Sequence, residues 1–181
     1  MCSGLITLGS CGRTDETGSP GDAANAQSFA ACSAGLEAGQ ACNMVDNVAT
    51  AITPTCTSEP LPTGTGGTIA PGTYVLAAQT FYGAPASCPT ESIAGTLVLS
   101  GSCVQQVAAL AGMTITSSLT FAGQGNQMTS TLTCISVGTS VLRPDMSTKT
   151  FTATPTTLTL FTLNSAVGNP NPDRAEAFVK Q

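Results

Sequence analysis

The chain has no histidine and no tryptophan among 181 residues, only 2 tyrosines, and charged side chains make up just 8% of it. An average soluble protein carries about 25% charge. Without histidine there is no Ser-His-Asp or Cys-His catalytic pair and no His-ligated metal site. With 5 Lys+Arg against 10 Asp+Glu and a net charge of −5, the clustered cations that nucleic-acid binding needs are missing. Gly64-Thr65-Gly66-Gly67 is glycine-rich, but no Lys-Ser/Thr follows and no helix opens after it, so it is not a phosphate loop. Asp15, Glu16 and Asp22 lack the spacing of a calcium loop. In the second half, Asp145 and Asp173 sit beside prolines as turn residues do, and Glu176 is read as facing outward. No activating base stands near any of these carboxylates. No catalytic residue, metal ligand or cofactor is therefore expected, and the chain is not read as an enzyme.

Cysteine is abundant instead. The 8 cysteines fall at positions 2, 11, 32, 42, 56, 88, 103 and 134, with no C-x-x-C pair among them. Wide, irregular spacing in a chain poor in charge points to an exported protein with disulfides. The sequence alone leaves the pairing of six cysteines open among 15 arrangements. Loop-closure entropy favours Cys88–Cys103 over its rival Cys88–Cys134, because the shorter loop closes at lower cost. Cys32, Cys42, Cys56 and Cys134 would then pair among themselves.

Ser3–Leu8 is a short apolar stretch, too short for the roughly 20 residues that span a bilayer. It reads as the end of a secretion signal whose basic beginning lies upstream of Met1. Leu8-Gly9-Ser10-Cys11 resembles the lipobox of bacterial lipoproteins. That resemblance implies acylation of Cys11 and a membrane partner through the lipid anchor. Gly12 after the cysteine implies sorting to the outer membrane. Residues 12–22 carry almost no apolar side chain and cannot offset their ordering entropy, so they read as a tether. Setting aside Cys2 and Cys11 leaves Cys32, Cys42, Cys56, Cys88, Cys103 and Cys134, an even set for three disulfides.

Four regions follow: a signal remnant over 1–10, a tether over 11–28, a cysteine-bearing helical segment over 29–62, and a β domain over 68–181. Cys42, Val45, Ala49 and Ile52 recur at one face of a 3.6-residue period, which predicts a helix over 41–53 ended by Pro54. The Pro/Gly stretch 60–67 reads as a linker. Beyond it, threonine, 29 of the 181 residues, alternates with apolar side chains. Met113, Ile115, Leu119 and Phe121 interleave with Thr114, Thr116, Ser118 and Thr120; Met128, Leu132 and Cys134 interleave with Thr129, Thr131 and Thr133. Strict period 2 with one apolar and one hydroxylated face is a half-buried strand. Strands are predicted over 73–82, 96–100, 103–107, 113–121, 128–134, 148–153, 157–163 and 175–180. The hydroxylated faces read as cross-strand Thr pairs rather than as sugar- or ice-binding arrays.

Eight strands joined mostly by short turns can close into an up-and-down barrel, although the same alternation also fits a β-sandwich. Gly72-Thr73-Tyr74 near the start of the first strand and Lys180 at the end of the last resemble the lipocalin pattern, in which Gly-x-Trp is covered by a basic residue. The resemblance implies a mainly β protein with an eight-stranded antiparallel lipocalin-like barrel; the periodic segment before it adds one short disulfide-stapled helix. Tyr74, Leu76, Met113, Ile115, Leu119, Phe121, Met128 and Leu132 are expected to face its interior and touch any ligand. Small inward neighbours such as Ala78, Ser117 and Ser130 leave two outcomes open. One is a cavity for a small apolar ligand or lipid. The other is a filled core in a lipoprotein that acts through its surface.

Overall fold

A computed structural model describes residue 32 and residues 42–83, 88–137, 140–142, 146–163 and 172–181. Among the described residues ten strands are present: β1 (Thr55–Cys56), β2 (Gly72–Tyr82), β3 (Ile93–Ser100), β4 (Cys103–Leu110), β5 (Met113–Gln124), β6 (Gln127–Val137), β7 (Ser140–Leu142), β8 (Met146–Ala153), β9 (Thr157–Thr162) and β10 (Asp173–Lys180). The order β2-β10-β9-β8-β6-β5-β4-β3, with β3 pairing back to β2, closes an antiparallel barrel of eight strands. All eight predicted strands are found. The fold is a barrel and not a sandwich, since the β2–β3 and β2–β10 ladders leave no free edge between first and last strands. β1 and β7 are short additions on β2 and β6.

Tight turns set the register. Gly101 turns β3 into β4 at φ 56°, and Ala111-Gly112, at φ 51° and 77°, turn β4 into β5. Two-residue turns with positive φ match the twist of the strands they join. Two bulges then change which side chains face inward. Ala177 pairs with Ala78 while Phe178 pairs with Leu76, so Ala77 is an extra residue in β2. Thr133 is likewise extra in β6, between the Ser118–Cys134 and Leu119–Leu132 pairs. Past the first bulge, Gln79 and Phe81 are buried and Ala78 is exposed.

The core fills one end of the barrel. Tyr74, Leu76, Leu97, Leu99, Val104, Met128, Phe151, Leu158, Leu160 and Phe178 form one buried cluster, with Leu119 and Phe121 packed against it. Tyr74 has no exposed surface, and its hydroxyl donates to the Ala70 carbonyl at 2.7 Å. Lys180 stands opposite Tyr74 in the β2–β10 ladder, and its aliphatic stem lies over Gly72.

Residues 60–67 are not a free linker. Gly66 donates to the Phe151 carbonyl and accepts from Ala153, Asn126 donates to the Gly64 carbonyl, and Ile69 packs on the core cluster. A Cβ on Gly64 would meet the Phe151 backbone, and one on Gly66, at φ +80°, would meet the Gly125 carbonyl. The glycines permit a backbone-to-backbone approach that seals this end.

Two expectations are corrected. Residues 42–53, the described part of the predicted helix, form an extended strap, not a helix. Asn43 Oδ1 accepts from the Val45 amide and Asn47 Oδ1 from the Ala49 amide. Such local turns compete with helical hydrogen bonds. The strap crosses the outer face of β3–β5. Asn43 Nδ2 donates to the carbonyls of Gln106 and Ser117, Asn47 Nδ2 to that of Ala94, and Ser118 Oγ to that of Cys42. Thr96 and Ser118, on the hydroxylated face, are each 1% exposed beneath it.

The second correction concerns the disulfides. They are Cys32–Cys103, Cys42–Cys134 and Cys56–Cys88, with Cα separations of 5.8, 5.6 and 5.9 Å. The predicted Cys88–Cys103 bond is absent, because Cys103 is taken by Cys32. Each bond joins the segment before the barrel to the barrel wall or its first loop, so strap docking, not loop length, selects the partners. The six cysteines are those left after setting aside Cys2 and Cys11, which lie outside the described residues. Three disulfides fit an oxidising, exported environment.

Candidate functional site

At the end of the barrel away from the packed core, a cavity of about 380 Å³ opens between the strands. Its two walls differ. On β3–β6, Ile93, Ala108, Leu110, Ile115 and Ile135 line it, with Gln106 and Ser117 among them. Across the barrel, β2 and β10 contribute Gln79, Phe81, Arg174 and Glu176. Pro54, Pro89 and Glu91 complete the lining from the flanking segments, close to the Cys56–Cys88 bond.

The polar wall is a linked set. Gln79 Nε2 donates to Glu176 Oε1 at 3.1 Å, and Arg174 Nε lies 3.5 Å from the same oxygen. Gln79 and Glu176 are direct cross-strand partners, as are Arg174 and Thr162. Arg174 Nε and Thr162 Oγ1 are both buried without a hydrogen-bond partner. A buried polar atom without a hydrogen bond costs free energy, and Arg174 Nε recovers part of it from the Glu176 charge beside it. Lys149 on β8 stands opposite Met128 of the core, and its ammonium lies in the fields of Glu176 and Arg174. Burial pushes its pKa below the ordinary lysine value; Glu176 opposes that shift and Arg174 adds to it.

The eight side chains expected to touch a ligand are distributed unevenly. Ile115 lines the cavity. Tyr74, Leu76 and Met128 belong to the packed core, and Leu119 and Phe121 pack against it. Leu132 is half-buried and Met113 is 51% exposed. Glu176, read as outward-facing, lines the cavity. Residues i and i+2 of a strand share a face, so Arg174 and Glu176 must follow Phe178 inward. That signal was in the sequence. Gln79 had none, because the Ala77 bulge reverses the parity before it.

Two other concavities lack the Gln79–Glu176–Arg174 set, although Lys149 borders one of them. A basin of about 300 Å³ at the sealed end is lined by Gly67, Gly101, Gly123 and Gly125 with Ile69, Phe121 and Phe151. A groove beneath Leu61–Thr63 lies over Phe161 on the outer surface. Among the described residues, no group of three or more Cys, Asp or Glu could hold a metal ion.

Fold and site together define a disulfide-bonded antiparallel barrel, packed at one end and hollow at the other. No family model matches the chain, and no curated protein and no solved structure is significantly similar to it.

Proposed function

We propose that the protein is an exported lipoprotein, anchored in the outer membrane through Cys11, whose barrel binds a small, partly apolar ligand. The observation that carries the binding reading is the cavity of about 380 Å³. It falls in the range of small-molecule sites, and its lining is mostly apolar with a few polar groups that converge, as in such sites generally. A filled interior would have favoured a purely structural or surface role. The lipocalin resemblance gains support from the register that sets Lys180 opposite Tyr74. Anchoring rests on Leu8-Gly9-Ser10-Cys11 alone. Two or three acyl chains hold a protein stably at a bilayer where one is marginal.

Native mass spectrometry of the protein extracted from its own membrane tests the binding reading. A reproducible adduct that a cavity-blocking Ile115→Trp variant loses is the expected result. An unliganded mass in every preparation, with no uptake of added octanol, returns the protein to the structural reading. Anchoring is tested by Cys11→Ser in a chain with its full signal, which should move the protein from the membrane to the soluble fraction. Unchanged membrane association would reject it.

A further inference from the structure

The two walls of the cavity ask for different chemistry, and together they narrow the ligand. Arg174 brings a planar guanidinium with five N–H donors and no acceptor. Glu176, whose Oε1 lies 3.5 Å from Arg174 Nε, is shared, since that oxygen also accepts from Gln79. Arg174 Nε stays buried without a hydrogen-bond partner, while its side chain as a whole is 33% exposed, toward the cavity it lines. Thr162, directly across the ladder, offers a hydroxyl without a hydrogen-bond partner on the same face. Lys149 is a further basic group within the field of this cluster. Of these groups Arg174 and Glu176 line the cavity, while Lys149 stands nearer the packed core, opposite Met128, in a chain whose net charge is −5. Glu91 at the mouth is exposed and therefore screened by water. Opposite the cluster stands the wall of Ile93, Leu110, Ile115 and Ile135.

We propose that the ligand is a small amphipathic carboxylate, its head held by Arg174 and its hydrocarbon part laid on the isoleucine wall. The inference rests on the binding reading above and deepens it. The guanidinium fork matches a carboxylate's two oxygens, and such charge-assisted bonds are stronger than neutral ones. A single negative charge meets the least repulsion from Glu176 while it engages the Arg174 fork. A dianionic phosphate would be repelled by Glu176 beside it. At about 30 Å³ per water-sized group, the cavity accepts roughly a dozen non-hydrogen atoms.

Calorimetry on the oxidised full chain with octanoate, 1-octanol and octylammonium tests the assignment, since the three differ only in the head. Octanoate should bind at least tenfold more tightly than either of the others. In Arg174→Gln the octanoate-to-octanol preference should fall to near one, and Arg174→Lys should restore part of it. Lys149→Met should reduce the preference several-fold. Should Arg174→Gln fail to fold, the ranking of the three probes on the unaltered protein still decides. Equal binding of all three, or a preference for octylammonium, overturns the carboxylate assignment and leaves the binding reading standing. Failure of all three to bind overturns both.

Discussion

The two ends of the barrel are built from the same strands, yet one is a core and the other a site. At the sealed end the inward positions are Tyr74, Leu97, Leu99, Val104, Phe151 and Leu158, with Ile69 and the glycine strip closing over them. At the open end the same strands turn Gln79, Gln106, Ser117, Arg174 and Glu176 inward. Alternation decides only which face a residue takes. The level along the barrel axis decides whether that face meets other side chains or empty space. One end of a strand can therefore stabilise the fold while the other supplies binding chemistry.

The most direct way to break this comparison is to remove one large side chain from each end. Phe151→Ala should cost about 3–5 kcal/mol, because it empties a position 2% exposed in the middle of the core. Ile115→Ala, at a half-buried position beside existing free volume, should cost no more than about 1.5 kcal/mol, half the transfer energy of a fully buried isoleucine. Urea unfolding measures both, and equal costs would mean that the ends do not differ as described. Next in size is the seal itself. Gly66→Val should destabilise by about 1–3 kcal/mol through the positive φ and the clash with the Gly125 carbonyl. A wild-type midpoint in thermal unfolding would show that the strip is not docked.

Lys149→Met should change stability in the opposite direction. The fold penalises the charged lysine, as its lowered pKa records, so an apolar replacement should stabilise by about 1 kcal/mol, the low end for replacing a buried charge. The sign is checked by pH. For a base depressed in the fold, stability rises with pH from the folded pKa up to the unfolded 10.5, and Lys149→Met should abolish that rise. Smallest is the effect of Tyr74, whose pKa burial raises above 10.0. Its contribution is complete below pH 10 and is lost as pH climbs through the folded value. Tyrosinate absorbance in a Tyr82→Phe background should show Tyr74 ionising only above 10, and ionisation at the ordinary value would place it in water.

Much of the barrel was legible in the sequence because hydroxyl–apolar alternation and glycine turns such as those at Gly101 and Gly125 are local signals. The strap was not. Cys42, Val45, Ala49 and Ile52 keep helical spacing by coincidence, while Asn43 and Asn47, four residues apart, stitch an extended chain to β3–β5. Its conformation is set by carbonyls more than 45 residues away, which no window on the sequence contains. Separations of 71, 92 and 32 residues hid the disulfides in the same way. Of the site, Arg174 and Glu176 were readable from Phe178, whereas Gln79 depended on a bulge that only the β2–β10 pairing reveals.

The connectivity of the disulfides bears on how the chain matures. Cys32–Cys103 and Cys42–Cys134 cross one another, and Cys56–Cys88 lies inside both. A chain crossing a membrane from its N-terminus presents Cys32 and Cys42 together, long before either native partner arrives. Oxidation in order of appearance joins those two first, and only thiol–disulfide exchange leads from there to the native set. Production therefore depends on a compartment that can reshuffle disulfides as well as form them, and a strongly oxidising host without such activity should accumulate mispaired protein.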